Sequence, residues 1–104
     1  MSHAVSQLAA YRQTIDNLDN ALVHILAERF RCTDAVGLLK AQHDFPPVDP
    51  DREARQFSRL RGLAQDAKAD PDFVERLIKS IMIEVVARHR QIAADYVAQQ
   101  VDAP

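Results

Sequence analysis

The most restrictive feature of this sequence is an unbroken apolar stripe in its first forty residues. Steps of three and four connect Leu8, Tyr11, Ile15, Leu18, Leu22, Ile25, Arg29, Cys32, Val36 and Leu39. This spacing predicts one amphipathic helix from about residue 5 to residue 42. Some 37 helical residues span about 55 Å, whereas a compact globule of this size is about 33 Å across. We therefore expect a homodimer in which the long helices pair, with a bent helix in a monomeric bundle as the alternative.

Two further helices are predicted from capping signals. Asp49 is a good N-cap before Pro50, and Asp70 before Pro71 repeats the same signal. Apolar residues at helical spacing follow each proline. The sequence thus predicts an all-α fold of three helices, forming a single domain over residues 1–104.

Composition excludes several classes of protein. The 104 residues are 47% hydrophobic, which disfavours a disordered chain. The net charge of −2 provides no bulk attraction for nucleic acid, which disfavours DNA binders such as helix-turn-helix proteins. The single cysteine, Cys32, excludes an internal disulfide and a cysteine-built zinc site. No signal-like start and no membrane-spanning apolar run is present in the sequence, so we expect a cytoplasmic protein without a membrane partner.

Cations interrupt the apolar face of the first helix. Arg29 and Lys40 are eleven residues apart, which places them on one face about 16 Å apart, where two long side chains could hold a small dianion. A structural ion pair of Arg29 with Glu53 or Asp49 is the alternative. Arg12 lies about 25 Å before Arg29 and roughly 100° around the helix, so it could reach that site only from a partner chain.

Two other positions are candidates for chemistry. His89 interrupts the apolar stripe of the third helix, where a hydrogen-bonded core histidine is the alternative to a catalytic one. Arg52 lies between Asp49 and Glu53, where an exposed ion-pair network is the alternative. These residues form a basic set without a nucleophile and base pair, which is typical of a site that binds an anion.

Several segments together resemble one known family. They are residues 12–19, 27–29 and 37–40 of the first helix, the loop 48–53, and residues 75–82 of the third helix. In this order and spacing they resemble the all-helical (AroQ-class) chorismate mutases, without gaps from about residue 8 to residue 91. The resemblance implies an intertwined homodimer that converts chorismate to prephenate by an intramolecular Claisen rearrangement, within aromatic amino acid biosynthesis (the shikimate pathway). It also implies that no metal or cofactor is required.

The resemblance further implies a role for each site residue. Arg12 of the partner subunit and Arg29 would bind the two substrate carboxylates, and Lys40 would contact a carboxylate and the ether oxygen. Glu53 would accept a hydrogen bond from the substrate hydroxyl. Asp49 and Arg52 would shape the polar wall, and an apolar lining would come from Val36, Ile81, Met82 and Val85.

This chain departs from the family pattern at two positions. His89 stands where the family usually has a glutamine that donates to the ether oxygen, and Val85 stands where many relatives have a serine. An imidazole donates only in the right tautomer or as imidazolium, so we predict a pH-dependent activity between pH 5 and 8. Gln91 would replace His89 only if the register shifted, and it points about 200° away from it.

Two other functions remain open at this stage. The related isochorismate pyruvate lyases share the fold and the cationic site, although Glu53 and the 49–52 loop favour a mutase. A non-catalytic helical dimerisation or regulatory module is the second alternative. A complex with another enzyme of the pathway is compatible with either function.

Overall fold

The computed structural model describes residues 2–46 and 48–102. Three helices account for nearly all of them: α1 at His3–His43, α2 at Pro50–Asp66 and α3 at Pro71–Asp102. The described residues contain no strand. The predicted all-α fold of three helices with a long first helix is therefore confirmed.

Helix α1 is a single helix of 41 residues, close to the predicted limits. At its start, the Ser2 hydroxyl accepts a hydrogen bond from the Val5 amide at 3.2 Å. At its end, Asp44 has a left-handed backbone with φ of 53°, and the Phe45 amide donates to the Lys40 carbonyl at 2.9 Å. This bond satisfies one of the last carbonyls of α1, so the chain leaves the helix in a defined direction.

Helices α2 and α3 begin at the predicted caps. The Asp49 carboxylate accepts from the Arg52 amide at 3.2 Å, and the Asp70 carboxylate accepts from the Asp72 amide at 2.9 Å. Both prolines occupy the first helical position, where no amide hydrogen is needed.

Helix α2 ends in the same way as α1. Lys68 has φ of 60°, and the Ala69 amide donates to the Ala64 carbonyl at 2.8 Å. A left-handed residue just after the helix is most often glycine, so lysine at this position carries backbone strain.

The chain divides into two compact units, Met1–Cys32 and Thr33–Pro104. In the second unit α2 packs against α3, with Ala64 buried and with ion pairs from Arg61 to Asp72 and Glu75. In the first unit the predicted apolar stripe is largely exposed to solvent. Among the described residues only Gly37, Ala64 and His89 are buried, so most apolar side chains remain available for packing.

Candidate functional site

His89 lies on α3, and its side chain packs against the last three turns of α1. Its side chain is buried, with only 7% of the residue exposed, and its Nε2 lies 2.7 Å from the Thr33 carbonyl oxygen. A carbonyl only accepts hydrogen bonds, so we assign the proton of the neutral ring to Nε2. The other ring nitrogen, Nδ1, is buried without a hydrogen-bond partner among the described residues.

Gly37 makes this close approach possible. A Cβ atom at residue 37 would lie 2.6 Å from His89 Cδ2 and 3.1 Å from Nε2. Gly37 also lies four residues after Thr33, one turn further along α1, where a side chain would partly cover the Thr33 carbonyl. The glycine therefore accommodates the imidazole ring and leaves its hydrogen-bond acceptor accessible.

A second contact joins the same two helices. Arg88 donates two hydrogen bonds to the Asp34 carboxylate, with a distance of 2.8 Å from Nε to Oδ1. These bonds hold the pKa of Asp34 below its usual value and raise the pKa of Arg88. Because both side chains remain more than a third exposed, solvent screens this pair.

One cleft beside His89 is lined by residues of α1, of the turn that follows it and of α3, and we call it the Lys40 cleft. Its polar and charged lining includes Lys40, Asp44, His89 and Arg90, and its volume is about 260 Å³. Apolar surface comes from side chains that include Phe45, Tyr96 and Val97. Two cations, one carboxylate and a buried imidazole, together with aromatic and aliphatic side chains, form a suitable site for a small organic anion.

A second cleft lies between α2 and α3, and we call it the Glu53 cleft. Its volume is about 520 Å³, and its charged lining consists of Glu53, Lys79 and Arg90. The rest of the lining is apolar, namely Phe57, Met82, Ile83, Val86 and Ala87. This large apolar surface is suited to receive another apolar surface or ligand.

The structure distributes the predicted site residues of the second unit over these two clefts. Lys40 and His89 line the first cleft, whereas Glu53 and Met82 line the second. Five other predicted residues line neither cleft: Val36, Asp49, Arg52, Ile81 and Val85. Ile81 and Val85 are half-buried and the other three are exposed.

The two remaining predicted residues, Arg12 and Arg29, belong to the first unit. Arg12 is exposed, and Arg29 is half-buried. Nη1 of Arg29 is buried and has no hydrogen-bond partner among the residues that the structure describes. An unpaired buried donor of this kind is costly, and an anionic ligand would satisfy it.

Arg90 is a charged cleft-lining residue that sequence reasoning did not single out. It lines both clefts, although it lies outside the apolar stripe that drew attention to its neighbour His89. The available signal was its position directly after that histidine.

Within residues 2–46 and 48–102, no group of three or more histidine, cysteine, aspartate or glutamate side chains is arranged to hold a metal ion. None of the helices described here is both long and apolar enough to cross a membrane.

The fold and the clefts define an all-helical protein with a small cleft that is lined by cations and apolar side chains. Residues 11–90 match the family model described as chorismate mutase type II. The chain therefore belongs to the chorismate mutase type II family, as its sequence predicts.

Three relatives illustrate the similarity. The chain is 34% identical over 80 residues to the T-protein of Enterobacter agglomerans, a match that covers 77% of this chain and 21% of that protein. It is 31% identical over 80 residues to the chorismate mutase of Methanocaldococcus jannaschii, covering 77% of this chain and 80% of that one. It is also 31% identical over 99 residues to the bifunctional chorismate mutase/prephenate dehydratase of Pseudomonas aeruginosa, covering 90% of this chain and 27% of that protein. The chain thus spans only about a fifth of the length of the T-protein.

Proposed function

We propose that this protein is a chorismate mutase, which catalyses the Claisen rearrangement of chorismate to prephenate. The observation that carries the proposal is the family match over residues 11–90. That range includes every polar residue predicted for the site, namely Arg12, Arg29, Lys40, Asp49, Arg52, Glu53 and His89.

The reaction explains why cations suffice in such a site. The ether carbon–oxygen bond breaks while a carbon–carbon bond forms within the same molecule, so neither a nucleophile nor a proton transfer is needed. The protein must hold the substrate in a compact conformer and stabilise the negative charge that grows on the ether oxygen. Fixed donors and cations perform both tasks.

In this proposal four polar residues contact the substrate directly. Arg29 and Arg12 of the partner subunit bind the two substrate carboxylates, and the unpaired Nη1 of Arg29 is consistent with that role. Lys40 contacts a carboxylate and the ether oxygen, and Glu53 accepts from the substrate hydroxyl.

The remaining predicted residues shape the site around these groups. In the proposal, Asp49 and Arg52 at the start of α2 form the polar wall, and Val36, Ile81, Met82 and Val85 form the apolar lining. In this structure Met82 lines the Glu53 cleft, whereas the other five line neither cleft.

The hydrogen bond of His89 to Thr33 defines how the imidazole could take part. Since Nε2 already donates to the carbonyl, only Nδ1 can donate to the ether oxygen, and it carries a proton only in the imidazolium form. Activity that depends on His89 should therefore increase as the pH falls from 8 towards 5.

The proposal includes a homodimer. Residues of the α1 stripe that are about half or more exposed include Leu8, Tyr11, Ile15, Leu18, Leu22 and Ile25. Burying the remaining exposed surface of each would contribute roughly 1 kcal/mol. A second copy of this chain provides a matching apolar stripe, and the apolar Glu53 cleft offers further surface to cover.

The direct test is incubation of the purified protein with chorismate and, separately, with isochorismate. We expect prephenate from chorismate. Formation of pyruvate and salicylate from isochorismate would instead identify an isochorismate pyruvate lyase. Turnover of neither compound would favour a non-catalytic helical module.

The shared site has its own test. Arg12→Ala and Arg29→Ala should each remove most activity, because each deletes a carboxylate ligand from every site. Mixing the two variants should restore about a quarter of wild-type activity, since half of the dimers would contain one intact site. No recovery despite demonstrated subunit exchange would contradict the shared site.

Prephenate is the expected product, and one relative is named as a fusion of chorismate mutase with prephenate dehydratase. We therefore place the reaction in aromatic amino acid biosynthesis. A single domain over residues 1–104, a cytoplasmic location and a complex with another enzyme of that pathway stay predictions.

A further inference from the structure

Arg90 lies on α3, one residue after His89, and it lines both clefts. It borders the Lys40 cleft together with Lys40 and His89, and it borders the Glu53 cleft together with Glu53. Among the residues named as lining the two clefts, it is the one that they share. Arg90 thus connects the two groups of predicted site residues.

The guanidinium of Arg90 is available for a ligand. Its side chain is exposed, and among the described residues no ion pair or hydrogen bond engages it. The nearby Arg88, by contrast, is committed to Asp34. In the Lys40 cleft, Lys40 and Arg90 outnumber the single carboxylate of Asp44, so the lining carries a net positive charge.

We propose that Arg90 is a substrate-binding residue that contacts a carboxylate of the substrate in the Lys40 cleft. This inference rests on the proposed function, because that function supplies a dicarboxylate substrate. An arginine presents two parallel N–H donors to one carboxylate, whereas the lysine ammonium acts as a point charge. Arg90 and Lys40 therefore make complementary contacts to a small dianion.

The expected effect falls on substrate binding. A carboxylate away from the breaking bond keeps its charge through the reaction, so Arg90 binds the ground state and the transition state about equally. Uniform binding of this kind lowers KM and leaves kcat nearly unchanged. Arg90→Ala should raise KM roughly tenfold, the lower range for a charge-assisted hydrogen bond at an exposed site.

The experiment compares Arg90→Ala and Arg90→Lys with a matched control, Arg59→Ala. Arg59 is an exposed arginine of α2 that lines neither cleft and donates to Gln56 at 3.2 Å. We expect the control to keep the wild-type KM, and Arg90→Lys to recover part of the loss by restoring the charge. A KM for Arg90→Ala within twofold of the wild-type value would overturn the proposal.

A second measurement separates this inference from the proposed function. If the wild-type protein does not turn over chorismate, the proposed function fails and kinetics cannot report on Arg90. Titration with a bicyclic dicarboxylate that mimics the transition state then decides. About tenfold weaker binding by Arg90→Ala would support the carboxylate contact, whereas equal affinities, or no binding by the wild-type protein, would overturn it.

Discussion

The contact of Gly37 with the His89 ring leads to a sharp prediction, because the chain contains a matched control glycine. Gly37 and Gly62 both lie inside helices, and alanine is favoured over glycine there by about 1 kcal/mol. A Cβ at residue 62 would have no atom within 4 Å, whereas a Cβ at residue 37 would lie 2.6 Å from His89 Cδ2. The same substitution should therefore have opposite effects at the two positions.

The magnitude follows from the geometry. Carbon atoms normally approach to about 3.5 to 4.0 Å, so the ring must move by roughly 1 Å to accept the new methyl group. Overpacking of this kind costs about 1–3 kcal/mol, and loss of the hydrogen bond from His89 to Thr33 adds about 1 kcal/mol. After the gain in helix propensity, we expect Gly37→Ala to lose about 1–3 kcal/mol of unfolding free energy.

Gly62→Ala should gain about 1 kcal/mol, because only the helix propensity changes. The assay is urea denaturation of both variants at one fixed protein concentration, since the stability of a dimer depends on concentration. Gly37→Ala should also lower kcat with chorismate, because the ring is displaced, whereas Gly62→Ala should retain it. Equal stabilisation of both variants would refute the packing of His89 on Gly37.

Three further outcomes follow from the structure. Asp34→Asn should destabilise the protein at pH 7. Because Arg88 holds the pKa of Asp34 below its unfolded value, the difference from wild type in urea denaturation should shrink as the pH falls below about 4. Lys68→Gly should raise the unfolding free energy by about 0.5 kcal/mol by relieving the left-handed strain, and a thermal melt with no gain would contradict this. His89→Gln should flatten the profile of kcat/KM between pH 5 and 8, and an unchanged profile would exclude a catalytic imidazolium.

The helices were predictable because their signals are local. Asp49 and Asp70 are each followed by proline, and this pattern alone specifies where α2 and α3 begin. The length of α1 follows from a stripe that never changes its period. These features need no knowledge of how distant parts of the chain pack.

The contacts around His89 were not predictable, because they join positions far apart in the chain. The residues of the Asp34–Arg88 pair are 54 positions apart, and those of the bond from His89 to Thr33 are 56 apart. The sequence marked His89 as an anomaly in an apolar stripe, but it did not show which ring nitrogen is engaged. The engaged nitrogen is identified by the backbone carbonyl of Thr33. Because every residue has such a carbonyl, the sequence does not indicate which one accepts the hydrogen bond.

The same backbone carbonyl has an evolutionary consequence. Because Thr33 contributes its main chain to His89, many other side chains at position 33 would preserve the hydrogen bond. The hydrogen bond to His89 therefore places no requirement of its own on the side chain at position 33. Selection should instead act on Gly37 and His89 together. Where position 37 has a side chain, position 89 should have a smaller residue than histidine, and where position 89 is histidine, position 37 should be glycine. Covariation between positions 37 and 89 would then be the sequence signal of this packing, whereas the hydrogen-bond acceptor at position 33 would give no such signal.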